Sequence, residues 1–350
     1  MKKLDKRIYS LLDANFGRLN EGLRVLEDIA RFILRDLKIT KKLKLLRHSF
    51  SKKASFFNLQ FLNSRGKDIG AKMILKEEKE RKDISDLVLA NSKRCQEAIR
   101  VLEEHFKLFD RKSSVFFQAS RFLLYEIEKE IYGKVSKKEK LKKLFPLYLI
   151  FDSQYFGKEP LETLKKVISG GITAIQYRDK INPKNKVLRF ALRFKKICQQ
   201  NEVLFLINDF LDITLSVEAD GLHLGQEDLP LGSAKKILPF DKIIGISTHN
   251  LREAKKTEKE GVDYISVGAV FPTSTKKDVV LINLSEIKKI KKQVSLPLIA
   301  IGGINENNLK EVLESGVKGI AILKAIMKAK DPKKKTKEIL KKINQYYSFP

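Results

Sequence analysis

The chain is 350 residues long, about twice the size of a typical domain, so its length favours two domains. Hydrophobic residues make up 43% of it, enough for full cores, and no apolar run approaches the ~18 residues of a membrane span. Its two cysteines, Cys95 and Cys198, lie far apart, which excludes a disulfide framework and a Cys-x-x-Cys zinc motif. The charged N-terminus lacks the apolar run of a secretory signal, so we expect a cytoplasmic protein with no membrane partner.

The formal net charge of +28 is the one bulk property that suggests a nucleic-acid partner. The basic residues are nevertheless spread along helical segments and mixed with glutamate, as in Glu286-Ile287-Lys288-Lys289, which is typical of a solvated helix face. No nucleic-acid-binding motif accompanies them. We therefore expect no nucleic acid among the partners, and a positive field that attracts phosphorylated small molecules.

Residues 1–132 are predicted to form an all-α helical domain. Apolar residues such as Leu19, Leu23 and Leu26 follow the i, i+3, i+4 rule of an amphipathic helix, and no proline occurs before Gly133. The polar residues 133–144 that come next are predicted to be a linker, with continuation as a short helix as the alternative.

An internal repeat lies inside the helical domain, because residues 14–28 recur 76 positions later as residues 90–104, with 8 of 15 positions identical. The repeat includes polar residues spaced three apart: Asn15, Arg18, Glu21 and Arg24 in the first copy, and Asn91, Arg94, Glu97 and Arg100 in the second. Such spacing is compatible with an ion-pair ladder on a solvated face. The repetition of the same charges favours instead a polar cleft between two related halves.

Residues 145–350 show short apolar strands alternating with amphipathic helices. Eight strands are predicted at 146–151, 174–178, 203–207, 221–224, 243–246, 264–267, 298–301 and 319–323. Eight βα units in about 200 residues predict a (β/α)8 TIM barrel, in the α/β class, and an open doubly wound sheet is the alternative.

Polar residues follow nearly every predicted strand, where a barrel gathers its active site. Glycines 302 and 303 are followed by a helix predicted to begin near Asn305, so their backbone N–H groups can approach an anion. Together with the Leu323-Lys324 loop after the last strand, Gly302 and Gly303 predict a phosphate site.

Two carboxylates at the ends of adjacent strands, Asp209 and Asp228, are candidate ligands for Mg²⁺ shared with substrate phosphates. Alternatively, Asp209 caps the short helix that follows it and Asp228 occupies an ordinary turn. His223 is more typical of a structural residue than of a ligand or base, and His249 is a candidate helix cap.

The ordered motifs Gln-x-Arg-x-Lys, Ile-Asn-Asp, Gly-x-His-Leu-Gly-Gln-Glu-Asp, Ser-Thr-His, Phe-Pro-Thr-x-Thr-Lys and Ile-Gly-Gly-Ile resemble those of thiamine phosphate synthases over residues 145–327. The resemblance implies a transferase that joins hydroxymethylpyrimidine diphosphate to a carboxylated thiazole phosphate. Thiamine phosphate, pyrophosphate and CO₂ would be the products. Phosphorylated pyrimidine and thiazole are then the expected small-molecule partners.

The resemblance also assigns roles to residues. Mg²⁺ would be bound by Asp209 and Asp228; the catalytic cations and hydroxyl would be Arg178, Lys180, Ser247 and Lys276. The remaining substrate-binding set is Gln176, Tyr177, Asp179, Asn208, Thr273, Ser274, Thr275, Gly302, Gly303, Leu323 and Lys324. Three departures are Asp179, where the family often has Glu, Ala269, where Pro is common, and Lys324, where Ser is usual.

The segment from Asp13 to Phe32 is similar to small all-helical hydroxymethylpyrimidine phosphate kinases, which are sometimes fused ahead of this synthase. This resemblance implies ATP as a co-substrate, the four repeat arginines as phosphate ligands, and Glu21 and Glu97 as metal-binding or orienting groups, beside Asn15 and Asn91. A P-loop is excluded because its motif is absent. The alternative is a non-catalytic dimerisation or tethering module, and a homo-oligomer is compatible with either.

Overall fold

A computed structural model describes residues 6–57, 80–273 and 280–348. By their internal contacts the residues form two compact units, Met1–Ser136 and Lys137–Pro350. Within the described ranges, none of the helices combines the length and apolar character of a transmembrane span.

The described residues of the first unit are mainly helical, as predicted. Its helices are α1 (Lys6–Asp28), continued by a π-helical turn (Ile29–Leu34), α2 (Leu37–Phe56), α3 (Ile84–Phe106) and α4 (Arg111–Lys142). Asp36 and Asp83 cap α2 and α3 by accepting backbone N–H groups of the first turns. Residues 133–142, expected to be a linker, are the last part of α4. Their lysines and glutamates are good helix formers, so a low apolar content did not end the helix.

The core of the first unit is built by close packing of α1 on α3. Gly22 lies so near α3 that a Cβ there would stand 2.4 Å from Cys95 Sγ. The Cys95 thiol also lies 3.6 Å from the Leu19 carbonyl oxygen. Around this crossing, Phe106 and Phe117 are fully buried with ring centroids 4.9 Å apart. Burial of these aromatic and aliphatic faces stabilises helices whose outer faces are charged.

The second unit is a closed barrel of eight parallel strands in the order β1 to β8, which confirms the predicted TIM barrel. The strands are β1 (Leu147–Asp152), β2 (Ala174–Arg178), β3 (Leu204–Asn208), β4 (Gly221–Leu224), β5 (Ile243–Thr248), β6 (Tyr264–Val267), β7 (Leu298–Ile301) and β8 (Gly319–Ile322). The helices are α5 (Pro160–Ser169), α6 (Lys184–Gln200), α7 (Leu211–Ser216), α8 (Leu231–Ile237), α9 (Leu251–Lys259), α10 (Leu284–Gln293), α11 (Leu309–Glu314), α12 (Lys324–Met327) and α13 (Pro332–Ser348). Helix α11 begins at Leu309, so the helix predicted near Asn305 starts later; the Asn305 N–H is instead bound by the Asn308 side chain at 2.8 Å.

Side-chain alternation gives the barrel two separate apolar regions. One set of strand residues packs outward against the helices, and the other set, including Tyr148, Leu206, Tyr264 and Ile299, fills the interior. Because successive strand residues point to opposite faces, every second residue points into the barrel. Towards the carboxyl ends of the strands, these inward residues are polar. The inward side chains therefore change from apolar to polar along the barrel axis.

Gly245 on β5 tests how tightly the interior is packed. A Cβ at this position would lie 2.0 Å from Cζ of Tyr264. We expect Gly245→Ala to destabilise the protein by about 1–3 kcal/mol, measured by thermal unfolding, because the buried ring would have to move.

Gly232→Ala is the matched control, since Gly232 lies in α8 and a Cβ added there would have no neighbouring atom within 4 Å. This change should leave the midpoint unchanged or raise it slightly. Equal midpoints for both variants would contradict the packing described for Tyr264.

Candidate active site

A cavity of about 700 Å³ lies at the carboxyl ends of the strands. Nine of the predicted substrate-binding residues line it: Gln176, Arg178, Asn208, Ser247, Thr273, Gly302, Gly303, Leu323 and Lys324. They come from β2, β3, β5 and the loops after β6, β7 and β8. Closure of the barrel brings these distant segments of the sequence to one place.

A hydrogen-bonded row of side chains forms the floor of the cavity. Gln176 Nε2 donates to the Tyr148 hydroxyl at 2.6 Å, which lies 3.2 Å from the Tyr264 hydroxyl. His223 Nδ1 is 2.8 Å from the Tyr264 hydroxyl, and its Nε2 is 3.0 Å from Ser247 Oγ. Burial raises the pKa of both tyrosines, so their hydroxyls stay protonated.

This row refines the interpretation of His223 and adds residues that were missed. His223 makes the hydrogen bonds expected of a structural residue, and it also lines the cavity. Ser266, which was not predicted, lies 3.2 Å from Ser247 Oγ. Tyr148 and Tyr264 could have been found as polar aromatic residues at inward positions of their strands.

Arg178 is oriented by a carboxylate that was not among the predicted site residues. The guanidinium, at the end of β2, pairs through Nη1 with Oδ2 of Asp152 at the end of β1. Asp152 is fully buried, and its Oδ1 accepts the backbone N–H of Gln154 at 2.9 Å. A guanidinium fixed in this way presents its other N–H donors in a set direction. The strand-end rule, applied to β1 as well, would have identified Asp152.

The predicted metal ligands lie beside the cavity, and Lys180 pairs with one of them. Asp209 follows β3 in a left-handed conformation with φ +64°, and Lys180 contacts its Oδ2. Burial and the neighbouring Asp228 carboxylate raise the pKa of Asp209 to about 6, despite the Lys180 charge. Asp209 does not cap α7, whose first turn has no side-chain cap; Asp228 accepts the Gly225 N–H at 2.6 Å within its turn.

These two carboxylates fit a divalent cation that takes its other ligands from substrate and water. A bound cation would offset the repulsion between the two carboxylates. Mg²⁺ commonly binds one or two protein carboxylates together with phosphate oxygens. Within the described part of the chain, no group of three or more His, Cys, Asp and Glu side chains converges as a metal site.

His249, a candidate helix cap, does not cap α9. It pairs with Glu253 at 3.1 Å, and the residue that caps α9 is Asn250.

The glycine pair after β7 is required by its backbone conformation and by close packing. Gly302 and Gly303 have φ values of +101° and +65°. A Cβ on Gly302 would lie 2.4 Å from that of Ala269, and one on Gly303 would lie 2.7 Å from the Pro272 carbonyl oxygen. The loop therefore exposes backbone rather than side chain to the cavity.

Five of the predicted residues do not line the cavity. Asp179 accepts a hydrogen bond from the Tyr177 hydroxyl at 2.7 Å and others from Asn182, so both residues brace the loop after β2. Lys180, Asp209 and Asp228 form the charged group described above. Ser274, Thr275 and Lys276 lie outside the described residues.

In the helical unit the repeat residues occupy corresponding positions on α1 and α3. Asn15 and Asn91 are buried, and each donates to the backbone carbonyl four residues earlier, at 2.8 and 2.9 Å. Arg18, Glu21, Arg94 and Glu97 are exposed. Arg24 and Arg100, about half exposed, extend to Asp28 and Glu104 at 3.2 and 2.8 Å.

The repeat also contains two buried glutamates that were not predicted as site residues. Glu27 pairs with Arg47 at 2.8 Å, and Glu103 pairs with Arg121 at 3.0 Å. Arg24 and Arg100 approach the same two carboxylates from the other side, at 3.6 and 2.8 Å. Glu27 and Glu103 occupy the same position in the two copies of the repeat, and this identity could have identified them.

Comparison with known proteins agrees with this division. A family model described as thiamine monophosphate synthase matches residues 147–326, and one described as the ThiD2 family matches residues 10–130. A thiamine-phosphate synthase of Prochlorococcus marinus (strain AS9601) is 36% identical over 342 residues, covering 97% of this chain and 96% of that protein. The chain belongs to the thiamine-phosphate synthase family.

Other members of the thiamine-phosphate synthase family extend the likeness. One from Nostoc punctiforme is 33% identical over 344 residues, with 98% of this chain and 96% of that protein covered. The solved thiamine phosphate pyrophosphorylase of Pyrococcus furiosus is 39% identical with a TM-score of 0.55. It covers 59% of this chain and 98% of its own length, and so corresponds in extent to the barrel.

The raised pKa of Asp209 makes a testable contribution to stability. A carboxyl group whose pKa is higher in the folded state stabilises the fold at low pH and loses that effect as pH rises towards about 6. In metal-free buffer, Asp209→Asn should therefore leave stability unchanged near pH 4 and raise it by roughly 2 kcal/mol at pH 8, in urea unfolding.

Asp212→Asn is the control, because a hydrogen bond from Lys184 lowers the pKa of Asp212 instead. That variant should show no gain at pH 8. A loss of stability in Asp209→Asn at pH 8 would contradict the repulsion between Asp209 and Asp228.

Proposed function

We propose that this chain is a thiamine phosphate synthase that joins hydroxymethylpyrimidine diphosphate to carboxylated thiazole phosphate. The observation that carries the proposal is a convergence of four side chains from three strands in one cavity: Gln176, Arg178, Asn208 and Ser247. These side chains belong to the motifs that resemble the synthases, and the family match covers the same region. The pyrimidine diphosphate would then occupy the β2–β5 side of the cavity.

The bound diphosphate requires compensation of its negative charge as it leaves. Arg178, held by Asp152, provides a fixed guanidinium at the cavity wall. Lys180 lies at the edge beside Asp209 and can turn to a phosphate, since its side chain is 43% exposed. Preorganised cations of this kind stabilise charge that develops in the transition state, typically by about 3–4 kcal/mol for each contact.

Asp209 and Asp228 are the residues that would hold Mg²⁺. When bound, the ion supplies further positive charge for the diphosphate oxygens. The chain's own contribution is to keep the two carboxylates adjacent and partly buried, so that they bind a cation rather than remain repelled.

The bond changes follow from the two substrates. The C–O bond between the pyrimidine methylene and the diphosphate breaks, and pyrophosphate leaves with the electron pair. The thiazole nitrogen then donates its lone pair to the methylene carbon, and the thiazole carboxylate departs as CO₂ with a proton taking its place. The cavity residues position the two rings, which reduces the entropic part of the barrier. Thr273, with Ser274 and Thr275, would contact the carboxylate, Lys276 would contact the diphosphate, and Gly302, Gly303, Leu323 and Lys324 would contact the thiazole phosphate.

Thiamine phosphate formation from the two preformed substrates tests this proposal. Arg178→Ala and Asp209→Ala should each lower kcat by about 10²–10³-fold. The first removes a cation that would face the leaving group, and the second removes a ligand of the Mg²⁺ that would do so. Arg193→Ala, an exposed arginine on α6, is the control and should retain activity. Normal turnover in Asp209→Ala would overturn the metal assignment, and no product from the unmodified chain would overturn the function.

For the helical unit we propose transfer of the γ-phosphoryl group of ATP to hydroxymethylpyrimidine phosphate, which yields ADP and the diphosphate that the barrel consumes. The support is the ThiD2 family match and the arginines of the repeat. The matching contacts of Asn15 with Asn91, and of Glu27 with Glu103, support duplication of a helical hairpin. Arg18, Arg24, Arg94 and Arg100 would bind phosphates, and Glu21 and Glu97 would bind metal or orient the substrate.

This kinase activity can be measured in the full chain carrying Asp209→Ala, where coupling is blocked. With ATP, Mg²⁺ and the pyrimidine monophosphate, we expect ADP and the diphosphate to accumulate. Adding Arg24→Ala and Arg100→Ala should lower the rate about 10- to 100-fold. The buried glutamates would keep Arg47 and Arg121 as partners, so the fold should persist.

Arg111→Ala, an exposed arginine at the start of α4, is the matched control for the kinase measurement. If the unmodified chain couples the preformed diphosphate but forms none from the monophosphate and ATP, the kinase proposal fails. A tethering or dimerisation role would then be the better explanation of the helical unit.

A further inference from the structure

The cavity has a second cationic region that the ordered motifs do not include. Lys324 and Lys328 both line the cavity on the side of β8. Their Nζ atoms lie 5.7 and 5.3 Å from the centroid of the same ring, that of Tyr155. Tyr155 ends the short 3-10 turn that follows β1, and β1 pairs with β8 in the barrel. Strand pairing therefore brings one aromatic ring and two ammonium groups together.

Two like charges in this arrangement are unfavourable by themselves. Lys324 and Lys328 are four residues apart around α12, and like charges at this spacing repel. The Tyr155 ring offsets part of the repulsion through cation–π attraction. A bound anion would offset more of it, because it attracts both ammonium groups at once.

One carboxylate that lines the same cavity already has a counter-charge. Glu306 lines the cavity, but Lys335 binds it at 2.9 Å and lowers the pKa of its carboxyl group. Among the described residues, no carboxylate forms an ion pair with Lys328. The local charges thus favour an incoming dianion such as a phosphate monoester, which carries nearly two negative charges at neutral pH.

We propose that Lys324, Lys328 and Tyr155 form a clamp for the phosphate monoester of the second substrate, in addition to the backbone of the glycine loop. The clamp rests on the proposed synthase function and refines it. In this arrangement, the two lysine side chains determine affinity for the phosphorylated thiazole over its unphosphorylated form. Tyr155 is a positioning residue, since its ring holds both ammonium groups without contacting the substrate.

Steady-state kinetics on the full chain tests the clamp. Lys324→Ser and Lys328→Gln should each raise the KM for thiazole phosphate about tenfold, with kcat and the KM for the pyrimidine diphosphate little changed. The double variant should also lose most of the dependence of the thiazole phosphate KM on KCl. Tyr155→Leu should raise the same KM, and Tyr155→Phe, which keeps the ring, should restore it.

Lys330→Gln is the matched control, because Lys330 is exposed, is near in sequence and does not line the cavity. It should leave both KM values unchanged. An unchanged thiazole phosphate KM in the double variant of an active enzyme would overturn the clamp.

A direct binding measurement separates the clamp from the synthase function. Inorganic phosphate binding, followed by calorimetry, should weaken about tenfold or more in the double variant and remain unchanged in Lys330→Gln. Weakened binding in a chain that makes no thiamine phosphate would support the clamp while the synthase proposal fails. Equal phosphate affinity in the unmodified chain and the double variant would overturn the clamp whatever the activity.

Discussion

The row of hydrogen bonds across the barrel interior, from Gln176 through Tyr148 and Tyr264 to His223, supports the rest of the candidate site. Each of these polar groups is buried, and a buried polar group without a partner destabilises the fold by about 1–3 kcal/mol. Because each finds its partner in the next strand-borne side chain, the interior can end in a polar floor. The same contacts limit the rotamers of the side chains that face the cavity. The same hydrogen bonds thus make the floor rigid and orient the polar groups that face the cavity.

The cationic side chains have different neighbours at the two sides of the cavity. Near β1–β4, cations are paired with carboxylates: Arg178 with Asp152, and Lys180 with Asp209. Such pairing fixes the orientation of the cationic side chain but reduces the net positive charge. A fixed orientation suits a cation that must contact the leaving group at one position. Near β8, two ammonium groups lie close to one aromatic ring, and this is the arrangement that we propose to attract a dianion. The arrangement is therefore suited to hold two phosphorylated molecules by different means.

The helical unit uses a similar principle in duplicate. Glu27 and Glu103 are buried carboxylates that each accept two arginines, one from the same helix and one from the next. Removal of all partners from such a carboxylate would cost several kcal/mol, so the two contacts help to fix each helical hairpin. Arg24 and Arg100 retain exposed N–H donors after making these contacts, which is what the proposed phosphate binding requires.

Sequence alone determined the barrel, because strand periodicity and helix amphipathicity are local patterns that survive without knowledge of the fold. It also identified the strand-end residues that line the cavity, since parallel strands in a closed barrel present their carboxyl ends on one side. Local pattern left open whether residues 133–142 are helical, and helix propensity decided that they continue α4. Local pattern was insufficient at Leu309, where the Asn305 turn delays the helix.

Only the tertiary structure decided which partners those residues meet. The pairing of Asp152 with Arg178 and the approach of Lys324 and Lys328 to the Tyr155 ring join residues far apart in the chain. Such contacts depend on strand register and on the direction of individual side chains, which a single sequence does not encode in any local pattern. The sequence thus predicted where the candidate site lies, and three-dimensional packing determined which side chains line it.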